Sequence, residues 1–336
     1  MVSRPTLRDV YAARRAVAGI VRRTPLVESD ALSEGAGAGP VFLKLENLQV
    51  TGAFKARGAT NALASLDAAA RERGVIAVST GNHGRAVATA ARRLGVKATV
   101  CVSERVPEDK IAALRATGCE LVIAGDSQDD AEVRARELVE ERGLTLVHPF
   151  DDPAVIAGQG TIGLEILEDL PGVRRAVVPL SGGGLMAGVA LALKSADPEL
   201  RVVGVSMERG AAMARSLRAG RPVPTPEEPT LADSLQGGIG EHNRYTLQMV
   251  AELVDDVVLV SEEAIARAMR FAFLRERQVL EGGAAVGIAA LLEGALPRVE
   301  GPTAVVCSGG NIAPERFLDI IDSVGGGSEE DEDPPP

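Results

Sequence analysis

The sequence predicts an α/β fold of two lobes, each a mostly parallel sheet flanked by helices. Three observations predict it. Short apolar runs alternate with amphipathic stretches along most of the chain, the pattern of strands joined by crossover helices. Hydrophobic residues make up 46% of the 336 positions and aromatic ones only 2%, so the core is Ala, Val, Leu and Ile, which suits helices laid on parallel strands. A chain of this length also exceeds one comfortable hydrophobic core.

Taken in order, Thr6 caps a first helix with Leu7, Val10, Val17 and Val21 on its apolar side. Arg23-Thr24-Pro25 ends it, and residues 41–45 read as a strand. A regular alternation follows: helix 59–66, strand 75–79, helix 83–93, strand 98–102, helix 108–117, strand 120–123, helix 129–142 and strand 144–147. After Pro149 come helix 154–167, strand 176–180, helix 185–194 and strand 202–206. A less regular region with a proline-rich loop at 221–229 intervenes. Strand 257–260, helices 261–273 and 284–292, strand 303–307 and a last helix 314–321 complete the pattern. Residues 323–336, glycine-rich and then acidic, have little to bury and are expected to be disordered.

The formal net charge of −11 and the scarcity of aromatics argue against nucleic acid as a partner. Three cysteines, Cys101, Cys119 and Cys307, form no CxxC pair, so a reducing cytosol fits better than a disulfide framework or a zinc site. Residues 1–9 carry no hydrophobic signal region and no apolar run approaches membrane-spanning length. A cytoplasmic protein without membrane contact is expected.

Five turns carry the candidate chemistry. In Thr51-Gly52-Ala53-Phe54-Lys55-Ala56-Arg57-Gly58, one of only five lysines sits between glycines where a strand gives way to a helix. A lysine held there can offer its amine to a carbonyl, as a Schiff base requires, although a lone lysine reads more readily as a solvated helix-opening residue. Ser181-Gly182-Gly183-Gly184 follows a strand and precedes a helix, where backbone N–H groups and the helix N-terminus favour an anion such as phosphate. It is neither GxGxxG nor the GK[ST] loop, so neither a dinucleotide nor a nucleoside triphosphate is indicated. Ser79-Thr80-Gly81-Asn82-His83-Gly84 is a similar turn, suited to a carboxylate or phenolic oxygen, or simply to a helix cap by Asn82. Cys307-Ser308-Gly309-Gly310-Asn311 and Glu281-Gly282-Gly283-Ala284 are the remaining two, and each alone is punctuation.

Together and in this order the five motifs resemble the fold-type II pyridoxal phosphate enzymes, the threonine/serine dehydratase and serine racemase group, over residues 7–318. Lys44-Leu45-Glu46-Asn47-Leu48-Gln49 and Ala157-Gly158-Gln159-Gly160-Thr161-Ile162-Gly163-Leu164-Glu165 look like further hallmark stretches. Within the group, the versions of the Ser79, Ser206–Met213 and Thr230–Gly240 segments look most like the hydroxyectoine-utilisation dehydratase. The resemblance implies pyridoxal 5'-phosphate bound as a Schiff base on Lys55, with Phe54 beside the ring and Asn82 on its phenolic oxygen. Ser181, Gly182, Gly183, Gly184 and Leu185 would hold the phosphate, Ser308 would face the pyridine nitrogen, and Glu281 would lie near the ring. Ser79, Gly81, Asn82, His83 and Gly84 would bind the substrate carboxylate. It also implies a homodimer, a large cofactor-binding domain (1–47 with 147–322) and a small mobile domain (48–146).

Two departures from the group bear on activity. A racemase relative carries a serine base where this chain has Thr80, a candidate catalytic residue whose β-branch restricts its rotamers. The carboxylates that bind a divalent cation in racemases correspond to Ser206 and Ala212, with Gly210 between them, so no metal is expected. The leading expectation is a dehydratase/ammonia-lyase for a β-hydroxy-α-amino acid of hydroxyectoine breakdown, resembling 3-hydroxy-2,4-diaminobutyrate, giving a 2-oxo acid and ammonia. The alternatives are an L-threonine/L-serine dehydratase, a serine racemase, a β-replacement synthase and a non-catalytic cofactor-binding protein.

Overall fold

Two parallel-stranded sheets divide the strands, in a computed structural model that describes residues 3–36, 39–106 and 108–325. The strands are β1 (Leu26–Ser29), β2 (Val41–Leu45), β3 (Val75–Val78), β4 (Ala98–Val102), β5 (Glu120–Ile123), β6 (Thr145–Leu146), β7 (Arg175–Pro179), β8 (Arg201–Met207), β9 (Asp256–Val260) and β10 (Thr303–Cys307). Six of them form one sheet in the order β1-β2-β10-β7-β8-β9, and four form the other in the order β5-β4-β3-β6. Every pairing is parallel except β1 with β2.

Both faces of the larger sheet are buried along its inner strands β2, β10, β7 and β8, which is why these are largely apolar without alternation. Val177, Val203, Val205 and Val305 pack with helices Glu262–Leu274, Gly282–Leu292 and Pro314–Ser323 on one side. Their strand neighbours Ala176, Val178, Val202, Ala304 and Val306 pack with helices Pro153–Asp169 and Gly184–Ala196 on the other. The smaller sheet repeats the arrangement. Val75 and Ala77 face helices Lys55–Ala64 and Asn82–Leu94, while Ile76 faces helix Gln128–Arg142.

The first helix, Leu7–Val17, has the expected Thr6 cap, completed by Asp9 in a capping box. Several elements escaped the sequence pattern: β1, and helices Asp30–Ala36, Ala68–Arg73, Ala212–Ala219 and Thr246–Leu253. Residues 221–229 form no helix or strand, in keeping with their prolines. The last helix runs to Ser323, and from residue 326 the expected acidic tail lies outside the described residues. Among the described residues no helix is long and apolar enough to cross a membrane.

Candidate functional site

Strand order assembles the site. β2, β10 and β7 are adjacent and parallel, so the segments that leave their carboxyl ends emerge side by side. These segments carry Lys55, Ser308 and Ser181. The Lys55 turn is stitched directly to the Ser308 turn: the Phe54 N–H donates to the Ser308 carbonyl at 2.9 Å, the Gly310 N–H to the Gly52 carbonyl at 2.9 Å, and Ala53 bridges Gly309. Gly52 has a φ of +72°, and a Cβ there would stand 2.5 Å from Asn311 Oδ1, so this turn needs glycine on both counts.

Lys55 opens helix Lys55–Ala64 and points its amine at the Pro149 carbonyl, 2.7 Å away. Nζ also lies 5.2 Å from the centre of the Phe54 ring. Burial lowers its pKa to about 8, and the nearby Glu281 charge opposes the shift only in part. A lysine this easily deprotonated is the form that attacks a carbonyl or takes a proton from carbon.

Phe150, next to that carbonyl, packs against the second turn. A Cβ on Gly182 would stand 2.3 Å from its ring, and one on Gly184 would stand 2.8 Å from its backbone. Gly183 has a φ of +89° and precedes helix Gly184–Ala196, which no side chain caps. The N–H groups of Gly182, Gly183, Gly184 and Leu185 have no hydrogen-bond partner among the described residues. The Ser181 hydroxyl donates to the Leu235 carbonyl at 2.9 Å, so towards a ligand this residue offers its backbone and its oxygen lone pairs. Four unpaired donors at a helix N-terminus make a cradle that fits a phosphate monoester.

The Ser79 turn leaves β3 of the smaller sheet and opens helix Asn82–Leu94. Ser79 Oγ accepts the Gly81 N–H at 3.2 Å, and a Cβ on Gly84 would stand 2.3 Å from the Ser79 carbonyl oxygen. The cap of this helix is Gly81, not Asn82, which overturns the capping alternative. The Asn82 amide points across the cleft instead. Its Nδ2 donates to Glu281 Oε1 at 2.8 Å, and its Oδ1 accepts from Asn311 Nδ2 at 2.6 Å. One N–H of Nδ2 remains for a ligand oxygen. Gly81 meets nothing within 4 Å on its Cβ side, so the turn is open there. Thr80 is half-buried in the same turn.

His83 is buried, and its Nε2 lies 2.7 Å from the Val147 carbonyl. A carbonyl only accepts, so the proton sits on Nε2. Burial and the Lys55 charge push the pKa down to about 3. The ring is therefore a neutral, packed imidazole that brings no positive charge to a substrate carboxylate.

Glu281, 5% exposed, precedes helix Gly282–Leu292. Burial and the Asp233 charge raise its pKa to about 7, although hydrogen bonds from Ser234, Asn82 and the Asn311 N–H oppose the shift. Ser308 is 3% exposed, and its hydroxyl has no protein partner among the described residues. A neutral hydroxyl suits a pyridine nitrogen that carries no proton. The expected Schiff-base lysine, phosphate turn, Asn82, Glu281 and Ser308 thus stand around one cleft, and their chemistry fits pyridoxal phosphate.

Sequence reasoning missed the segment 147–151, which touches nearly all of these parts. The Val147 carbonyl accepts the hydrogen bond from His83, the Pro149 carbonyl accepts that from the Lys55 amine, and Phe150 backs the glycine turn. The Asp151 carboxylate accepts from the N–H groups of Arg244, Tyr245 and Thr246 at 2.6–2.9 Å. His148 Nδ1 accepts the Asp151 N–H at 2.8 Å. Asn311 was also missed as a site residue, although it stands in the quoted glycine turn.

Comparison with known proteins agrees with this geometry. Residues 17–309 match the family described as pyridoxal-phosphate dependent enzyme. A putative threonine dehydratase of Sinorhizobium fredii is 51% identical over 98% of this chain and 99% of its own length. The crystal structure of T.th. threonine deaminase aligns with a TM-score of 0.84 at 42% identity, covering 92% of this chain and 99% of that one. Maize serine racemase aligns with a TM-score of 0.89 at 32% identity, covering 96% and 98%.

Proposed function

From a chain that belongs to the pyridoxal-phosphate dependent enzymes, we propose an L-threonine/L-serine ammonia-lyase that converts a β-hydroxy-α-amino acid into a 2-oxo acid and ammonia. The observation that carries the reading is the Lys55 amine, lowered to about 8 and aimed at the Pro149 carbonyl beside an unpaired glycine cradle. The names of two relatives, a threonine dehydratase and a threonine deaminase, favour threonine over the hydroxyectoine-derived substrate expected from the motif variants.

In this reading the cofactor, when bound, draws electron density from the substrate's α-carbon. The residues of the chain do the rest. The N–H groups of residues 182–185 hold its phosphate, and Asn82, steadied by Glu281 and Asn311, holds its phenolic oxygen. Ser308 meets the pyridine nitrogen without giving it a charge. Ser79 and the free N–H groups opening helix Asn82–Leu94 receive the substrate carboxylate, so that His83 acts there by shape alone. Lys55 would take the α-proton as general base. The C–H electron pair forms the α,β double bond as the Cβ–O bond breaks, and the β-hydroxyl leaves with a proton as water. Hydrolysis of the resulting enamine gives the 2-oxo acid and ammonia. Thr80, on the same turn as the carboxylate site, would supply the second proton-carrying group that racemisation needs, and maize serine racemase as a structural neighbour keeps that reading second. A homodimer belongs to the same proposal, and light scattering on purified protein tests it.

The experiment is 2-oxo acid release from L-threonine, L-serine, 3-hydroxyaspartate and 3-hydroxy-2,4-diaminobutyrate. Threonine or serine turning over fastest supports the proposal. Turnover of the diamino acid alone would restore the hydroxyectoine substrate, and D-serine appearing faster than 2-oxo acid would favour the racemase.

A further inference from the structure

Arg57 lies two residues beyond Lys55 on the same helix and is 0% exposed. Successive helical residues turn by about 100°, so the two side chains leave the helix on nearly opposite sides. Lys55 meets Pro149, and Arg57 meets a cluster of buried charge. Its Nε and Nη2 grip Glu46 at 2.8 Å each, and its Nη1 and Nη2 grip Glu165 at 2.6 and 2.9 Å. Lys44 completes the cluster, with Nζ 2.6 Å from Glu165 and 2.7 Å from the Thr24 carbonyl. Thr24 donates its hydroxyl to Glu46, and the guanidinium makes longer contacts with Thr161 Oγ1 at 3.2 Å and with the Arg22 carbonyl and Thr24 Oγ1 at 3.3 Å each. Two cations face two anions, all buried and all hydrogen-bonded.

Such a cluster adds little net stability, because taking four charges out of water offsets most of their attraction. Direction is what it supplies. Glu46 follows β2 of the larger sheet, and Glu165 lies on helix Pro153–Asp169. Two planar forks on carboxylates from two different elements fix the rotation of the helix that carries them. The backbone is clamped at the same level. A Cβ on Gly158 would stand 2.6 Å from the Gly58 Cα, the Gly58 N–H donates to Gln159 Oε1 at 3.2 Å, and Asn61 Nδ2 donates to the Ala154 carbonyl at 2.7 Å. A helix rotation of only about 10° would carry an amine some way off the axis by about 1 Å, and a misplacement of that size can cost about 100-fold in rate.

We propose that Arg57 is a positioning residue for Lys55, locking the first turn of its helix to the larger sheet through Glu46 and Glu165. The sequence boundary at residue 48 would place this helix in the moving domain. The lock instead keeps it with the larger unit, so that Lys55 holds station over the cofactor cleft while the four-stranded sheet moves. The proposal rests on Lys55 being the cofactor lysine.

The test uses cofactor-loaded protein carrying Arg57→Met/Glu46→Gln, which removes one charge of each sign and leaves Lys44 facing Glu165. Arg57→Lys, which retains the charge but loses the forks, runs beside it. The expected result is a folded, cofactor-binding protein whose kcat falls about 100-fold while KM stays within about threefold, with a shifted pH titration of the bound cofactor's visible absorbance. Arg57→Lys is expected to restore less than about a tenth of the parent kcat. A parental titration with kcat within about threefold, or a loss confined to KM, overturns the proposal. If the double variant does not fold, Arg57→Lys decides by the same criteria. Lys55→Ala is measured alongside: an absorbance band unchanged in that variant would mean that the cofactor-lysine reading has failed, not the positioning.

Discussion

Lys44 and Lys55 stand at the two ends of one connection, the first fully buried and the second half-buried, and they do opposite work. Lys44 ends inside a ring of acceptors, with the Glu165 carboxylate at 2.6 Å and the Thr24 carbonyl at 2.7 Å. Burial still lowers its pKa, but Glu165 and Glu46 pull against that, and two of its three donors end on protein oxygens. Lys55 has one carbonyl, one aromatic ring and a carboxylic group that burial itself tends to neutralise. The same side chain becomes architecture where charge surrounds it and a reactive amine where charge is withheld.

The sharpest way to break this contrast is to remove each lysine in turn. Lys55→Ala should lower kcat by about 1,000-fold or more while leaving the denaturation midpoint nearly unchanged, read by 2-oxo acid release and urea titration. Lys44→Met should do the reverse. Losing one partner of a buried ion cluster costs about 3 kcal/mol or more of stability, whereas kcat per cofactor-loaded molecule should stay within about threefold. Gly183→Ala forces a side chain onto a φ of +89° against Met213 Cε at 2.7 Å. A left-handed non-glycine residue costs about 1–2 kcal/mol, so cofactor binding, followed by fluorescence titration, should weaken roughly tenfold.

The smallest effect is one of pH. Burial raises Glu281 from the ordinary 4.5 to about 7, so the folded chain holds this proton more tightly than the unfolded one. Its share of stability is therefore complete below about 4.5 and is lost as pH rises through about 7. Glu281→Gln should remove that slope from urea midpoints measured across pH 4.5–7, and a slope retained in the variant would show that another group supplies it.

The parts of the molecule legible in the sequence are those whose signal is local. β4, β5 and β10 begin and end at the residues expected from the sequence. The glycine turns after β3, β7 and β10 announce the site because a ligand's approach demands missing side chains there. Where the cause is distant, the sequence is silent. Helix Thr246–Leu253 is started by the Asp151 carboxylate, which lies nearly a hundred positions earlier and binds the N–H groups of Tyr245 and Thr246. β1 has two exposed positions and, among the described residues, pairs only with β2, so its edge character hid it. The Glu46–Arg57–Glu165 cluster was equally invisible, since its members are ordinary charged residues until the helix of Lys55 crosses Pro153–Asp169. Asn82 shows the opposite error. Its local pattern suggests a cap, but partners contributed by Glu281 and Asn311 turn it into the cleft.

The most direct measurement is borohydride reduction of the cofactor-loaded protein followed by peptide mass mapping. The pyridoxyl mass should appear on the peptide containing Lys55, absent from Lys44, and its yield from cofactor-free protein incubated with pyridoxal phosphate should rise as pH passes about 8. The label on another lysine, or an intact protein that takes none, would contradict the account of the site.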